Sequence, residues 1–180
     1  RKHVIEAAWN WINMTIPVIS STFASFSRMC KNLGAETLGH LFIDEAGQAL
    51  PQAAVGAIYR SRHVMVVGDP LQIKPVLTLD SNTLYMLGEH FGVTEKYLSA
   101  SASAQILADA ASQYGFYRKQ DKAEDSWVGI PLWVHRRCRY PMFTISNMIS
   151  YDGFMVQGME KYGKADWFDV GGMANNKYVE

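Results

Sequence analysis

Two short apolar runs, each stopped abruptly by acidic and turn-forming residues, constrain this chain more than any other feature. The first, LFI at residues 41–43, ends in Asp44 and Glu45. The second, VMVV at residues 64–67, ends in Gly68, Asp69 and Pro70. Runs this short and this apolar read as strands buried on both faces, the habit of parallel sheets, because nothing in them alternates toward water. Between them residues 49–60 are alanine-rich and read as a helix, with Pro51 tolerable in its first turn. Strand, helix, strand at this spacing predicts an α/β fold, a parallel sheet flanked by helices on both faces. Such sheets bind ligands at the carboxyl ends of their strands, which is where these acids fall.

The rest of the chain extends the alternation. Val4, Ile5, Ala8, Trp9 and Ile12 recur at helical spacing, so residues 4–14 predict an amphipathic helix that stops before Pro17. A short strand is expected at residues 18–20, then a helix over 23–33 closed by Gly34. Helices are predicted over 83–91 and 103–114, followed by a charged, solvated loop at 115–126. Residues 131–134 predict a strand, 141–150 a helix after an arginine cluster, and 167–170 a last strand. The expected boundary lies near Gly129, dividing residues 1–128 from 129–180.

With 180 residues, the chain has room for one domain, or one domain and part of a second. Its 17 basic and 17 acidic side chains cancel, so any nucleic-acid surface must be a local patch and not a property of the whole field. Cys30 and Cys138 stand apart, outside any CxxC, which excludes a disulfide scaffold or a zinc ribbon and suits the reducing cytoplasm. No apolar stretch approaches the ~20 residues that cross a bilayer, so no membrane partner is expected. Because the first residue is Arg1, a piece of a longer protein is expected.

The chemistry follows from the strand ends. An aspartate there can hold hydrated Mg2+, a hard cation that prefers carboxylate oxygen, while an adjacent glutamate can orient and deprotonate a water for attack on phosphorus. Asp44 and Glu45 have that arrangement; the plainer alternative is two solvated carboxylates opening a helix, where negative charge is favoured. Gln72, carried on the turn after the second strand, can donate to a terminal phosphate oxygen and accept from the attacking water. The alternative there is a Gly-Asp-Pro turn that merely ends a strand.

Taken together, DEAGQA and, about 25 residues later, VVGDPLQIKPV resemble motifs II and III of superfamily 1 helicases, in the branch reading DEAxQ and GDxxQLxP. Residues 132–153, LWVHRRCRYPMFTISNMISYDG, are similar to that branch's motif IV, LxxQYRMHPxIxxFxxxxFYxG. The resemblance covers roughly residues 18–153. It implies a RecA-like P-loop NTPase domain, here incomplete, in which Asp44 binds the Mg2+ of Mg-ATP, Glu45 is the catalytic base and Gln72 touches the γ-phosphate. In motif IV the family's glutamine falls on His135, its tyrosine on Arg136, its arginine on Arg137 and its methionine on Cys138, with Tyr140 as an insertion. Arg137 is then the finger that crosses the interdomain cleft, with Arg136 as the fallback. Residues 18–26, VISSTFASF, resemble a family segment that touches the nucleic-acid backbone, so Ser21 and Thr22 are candidates to contact single-stranded DNA or RNA; a helix N-cap is the competing role.

The expected parent is an ATP-dependent helicase or translocase. Yet no phosphate-cradling loop precedes Asp44, and GMEKYGKA at residues 158–165 is a poor substitute: Ala165 replaces the hydroxyl that binds Mg2+, no helix-forming run follows, and the order is reversed. The isolated segment is therefore expected to hydrolyse ATP poorly, to need the rest of the parent chain, and to risk self-association through open strand edges. Two other classes stay open: a non-hydrolysing nucleic-acid-binding or scaffolding module, and a metal-dependent phosphoesterase using Asp44 and Glu45 directly. The five histidines show no metal spacing, and most of the tryptophans are expected in the core.

Overall fold

The computed structural model describes residues 2–69, 71–77, 79–94, 97–98, 102–118, 126–159, 162–166, 168 and 171. Among them the chain forms six helices and three two-stranded sheets, a mixed α/β architecture in two compact units, Arg1–Ile130 and Pro131–Glu180. No helix among the described residues is long and apolar enough to cross a membrane.

The first unit is built on a β-α-β element. Strand β1 (Leu38–Ile43) pairs in parallel with β2 (Ser61–Val66), and helix α3 (Pro51–Tyr59) makes the connection. Pro51 stands at the first turn of α3, where its missing N–H costs nothing, and Pro51, Ala54 and Ala57 form its buried face. Small side chains let this helix lie close to the strands. The core gathers Ile43, Ala46, Ala49, Ala54 and Ala104, with Phe23, Leu41, Ile58 and Val66 packed around them. Burying a side chain the size of Ile43 stabilises a fold by about 1.5–3 kcal/mol.

Alternation along the strands then dictates which side chains share that core. Leu41, Ile43 and Val66 point one way; His40, Phe42, His63 and Met65 point the other and are exposed, Phe42 by 69% and Met65 by 57%. The expectation of a sheet covered on both faces thus fails among the described residues: only one face is covered, and the apolar run recorded hydrophobicity without recording which face it serves.

The same unit also holds α1 (Lys2–Thr15), α2 (Phe23–Met29), α4 (Ser81–Phe91) and α5 (Ala104–Ala111), of which α2 packs against α3 and α5 against α3 and β2. Helix α2 ends at Met29 and not at residue 33: beyond it the chain tightens into a turn in which the Leu33 N–H donates to the Cys30 carbonyl at 3.0 Å, and Arg60 Nε donates to the same carbonyl, also at 3.0 Å. Gly34 is therefore no helix cap. Residues 18–20 form no strand. Of the loop expected at 115–126, residues 116–118 and 126 are instead strand, since β3 (Phe116–Arg118) pairs antiparallel with β4 (Ser126–Val128), with Tyr117 and Trp127 edge to face at 5.0 Å, while residues 119–125 lie outside the described residues. That cross-strand aromatic contact supplies the apolar face that a count of charges along the segment concealed. Asp109, buried on α5, accepts from Gln105 Nε2 at 3.0 Å and from the Gly129 N–H at 3.2 Å, tying helix to hairpin.

The second unit repeats the connection on a smaller scale. Strand β5 (Val134–His135) pairs in parallel with β6 (Val156–Gln157), with α6 (Met142–Ser150) between them. Its staple is the buried Asn147, whose amide donates to the Met155 carbonyl and accepts from the Met155 N–H, both at 3.0 Å. Of the strand expected at 167–170, residues 167, 169 and 170 lie outside the described residues.

Candidate functional site

The candidate site is the carboxyl end of the β1–β2 pair, where two turns meet. Past Ile43 the strands remain laced: the Val67 N–H donates to the Ile43 carbonyl at 2.8 Å, and the Ala46 N–H donates to the Val67 carbonyl at 3.0 Å. Between those bonds the chain must swing through Asp44 and Glu45. Glu45 does so with a φ of +51°, in the left-handed region that a glutamate seldom occupies. The Glu45 N–H is held by Asp44 Oδ1 at 2.9 Å, and its carbonyl accepts from the Gln48 N–H at 3.0 Å. Strain of this kind, on the order of 1–2 kcal/mol, persists only where surrounding bonds determine the backbone.

Gly68 brings the second turn against the first. A Cβ there would lie 2.6 Å from both the Ala46 and the Gly47 backbone nitrogens. Glycine is required for space, not for torsion, and the Asp69–Gln72 turn leaves the sheet in direct contact with the chain that carries Asp44 and Glu45. Asp69 organises that turn: Oδ1 accepts from the Leu71 N–H at 3.0 Å, and Oδ2 accepts from Gln72 Nε2 at 2.8 Å.

Helix α5 closes the underside. Its Ala104 and Gln105 N–H groups donate to the Ala49 and Ala46 carbonyls at 2.8 and 3.2 Å, so the first turn of the helix is satisfied by the acidic turn itself. Gln105 Oε1 is buried there without a donor.

The exposed side chains Asp44, Glu45 and Gln72 thus stem from two abutting turns at one end of the strand pair. Each is already engaged. Gln48 Nε2 donates to Glu45 Oε2 at 3.2 Å, and Gln72 spends one amide hydrogen on Asp69. Asp44 uses Oδ1 on its neighbour's N–H and keeps Oδ2 for another partner. Gln48 and Asp69 are the contributors that residue-type reasoning passed over. Their signal was the i, i+3 spacing from Glu45 and to Gln72, which lets a side chain reach back across a turn.

Ser21 and Thr22 stand elsewhere, at the start of α2. Thr22 is the N-cap: Oγ1 accepts from the Ser25 N–H at 3.3 Å, while Ser21 Oγ donates to the Thr22 carbonyl at 3.0 Å. Both are exposed. In the second unit Arg136 and Arg137 are exposed, and no carboxylate pairs with either among the described residues. They occupy a turn closed by His135, whose Nε2 accepts from the Cys138 N–H at 2.9 Å. The glycines of the GMEKYGKA segment serve close approach: the Gly158 and Gly163 N–H groups donate to the His135 and Tyr140 carbonyls, at 2.8 and 2.7 Å. Residues 160 and 161 lie outside the described residues.

The donor set suits one hard cation held lightly. No three His, Cys, Asp or Glu side chains converge as a metal cage among the described residues. A cation at Asp44 would draw its other ligands from water and phosphate, which is how Mg2+ is usually bound. Comparison of the chain with protein-family models, with curated proteins and with solved structures returns no match.

Proposed function

We propose that this chain is part of an ATP-dependent superfamily 1 helicase or translocase with a RecA-like fold, acting on single-stranded DNA or RNA. One observation carries the reading. The DEAGQ turn and the GDPLQ turn, far apart in sequence, leave adjacent parallel strands at the same end and touch through Gly68. Nucleotide sites of open α/β sheets are built at that end.

In this reading Asp44 holds Mg2+ through its remaining oxygen, and the ion, when bound with ATP, neutralises charge on the phosphates. Glu45 offers Oε1 to the attacking water while Gln48 fixes the other oxygen. Gln72 keeps one N–H and its Oε1 for a phosphate oxygen and the water. Arg137 is the candidate for neutralising charge on the departing phosphate, and Ser21 and Thr22 are candidates for contacts to the nucleic-acid backbone. The grip on the β- and γ-phosphates falls to the rest of the parent chain.

Measurement of nucleic-acid-stimulated ATP hydrolysis by the parent protein tests this. Glu45→Gln is expected to lower kcat by at least a hundredfold with Mg-ATP binding retained, and Gln72→Ala by at least tenfold. The 180 residues alone are expected to turn over ATP poorly. A parent protein whose activity is indifferent to both substitutions would instead be a binding or scaffolding module that keeps the fold. The existing engagements of Glu45 with Gln48 and of Gln72 with Asp69 favour that second reading, because they need nothing from a ligand.

A further inference from the structure

The uncovered face of the β1–β2 sheet carries a pair of side chains that neither the core nor the strand-end site uses. His40 and His63 are register partners on neighbouring strands, and both are exposed. Their rings are stacked with centroids 5.0 Å apart and planes inclined by 26°. Apart from this contact neither ring has a partner among the described residues. We propose that His40 and His63 form a two-imidazole site for a borderline divalent transition-metal ion, with Cu2+ the tightest ligand.

The geometry is set by the backbone. Parallel strands ~4.8 Å apart hold register partners side by side, and the observed ring spacing reflects that separation. A metal ion with bonds to nitrogen of ~2.0–2.1 Å needs its two donors ~3 Å apart, so the rings must turn until one nitrogen of each faces the same point. Rings already inclined to one another achieve this by rotation about their side-chain torsions, with no movement of the strands. A hydrogen bond from one ring to a carbonyl or carboxylate would block that rotation, and none exists here among the described residues. Imidazole is the commonest protein ligand for such metals. The flanking register pairs on this face are Phe42 with Met65 and Leu38 with Ser61; the one hydroxyl among them, on Ser61, is buried and donates to the Ala57 carbonyl at 2.9 Å, so no carboxylate or carbonyl side chain supplies the hard oxygens that Mg2+ or Ca2+ demands. A nitrogen-only pair therefore selects along the series in which Cu2+ binds most strongly. Water completes the coordination on the exposed side.

Titration of the 180-residue protein with Cu2+, followed by calorimetry and by electron paramagnetic resonance, tests the site. One ion is expected to bind per chain with a signal split by two equivalent imidazole nitrogens, and Zn2+ should compete for it. His40→Ala and His63→Ala should each weaken binding at least tenfold, while His3→Ala and His90→Ala leave it unchanged. Both target side chains are exposed, so circular dichroism of the variants should match the parent. In the unsubstituted protein, sub-stoichiometric Cu2+ should broaden the His40 and His63 ring resonances before those of His3, His90 and His135. Equal broadening of all five, a one-nitrogen signal, or undiminished binding by His63→Ala would overturn the proposal.

Discussion

Replacing Gly68 with alanine tests the contact on which the candidate site depends. The added methyl carbon would stand 2.6 Å from two backbone nitrogens, against an ordinary contact of at least 3.4 Å, so 3.4 minus 2.6, or 0.8 Å, must be found. No flexible side-chain tip can yield it. The obstacle is the main chain of Ala46 and Gly47, and Ala46 is fully buried while its N–H holds the Val67 carbonyl. Overpacking of this kind costs about 1–3 kcal/mol, and weakening that hydrogen bond adds about 1 kcal/mol. The sum, roughly 2–4 kcal/mol, corresponds to a fall in Tm of roughly 4–16 °C for a chain this size. Gly39→Ala is the control: the same change in the same sheet, where nothing lies within 4 Å of the new methyl. Thermal unfolding followed by circular dichroism should show a large drop for Gly68→Ala and almost none for Gly39→Ala. Equal midpoints would refute the close approach of the two turns and, with it, the shared site.

Other expectations concern single interactions. Asp80 caps α4 by accepting from the Thr83 N–H at 3.0 Å and the Thr83 hydroxyl at 2.6 Å, and these bonds hold its carboxyl below the ordinary aspartate range. A lowered folded-state value means that the cap's contribution is complete above the ordinary value, about 3.9, and disappears as pH falls through the lowered one; amide exchange in α4 should accelerate over that acid window, and Asp80→Ala should abolish the pH dependence. Cys30 is buried and its thiol is pushed up by desolvation, partly offset by the Arg60 charge, whereas Cys138 is half-buried. A thiol reagent should label Cys138 first and Cys30 only on unfolding; simultaneous labelling would contradict the packing of α2 against α3. Asn147→Ala should strip the Met155 N–H and carbonyl of their partners and cost the second unit about 1–3 kcal/mol in denaturant titration. Asn147→Asp, which keeps the acceptor alone, should fall between.

Residue order alone revealed a strand, helix, strand connection, the acids at its carboxyl end and the turn at Gly68, because a short apolar run and the chemistry of Gly, Pro and Asp act within a few residues of themselves. The same locality explains what was misread. Gly34 resembled a helix cap, but the Cys30 carbonyl is shared by the Leu33 N–H of a tighter turn and by Arg60, 30 residues beyond it. Residues 116–118 resembled part of a solvated loop until Tyr117 met Trp127 across an antiparallel strand pair. Composition likewise identified Asp44, Glu45 and Gln72 as acid and amide groups but not their partners, since Gln48 and Asp69 are chosen by the path of each turn. Only the tertiary structure decided that Glu45 takes a left-handed backbone, that Gly68 presses on Ala46, and that His40 stands beside His63 on an uncovered face. All three depend on strand register, a relation between segments some twenty residues apart that local propensity does not encode.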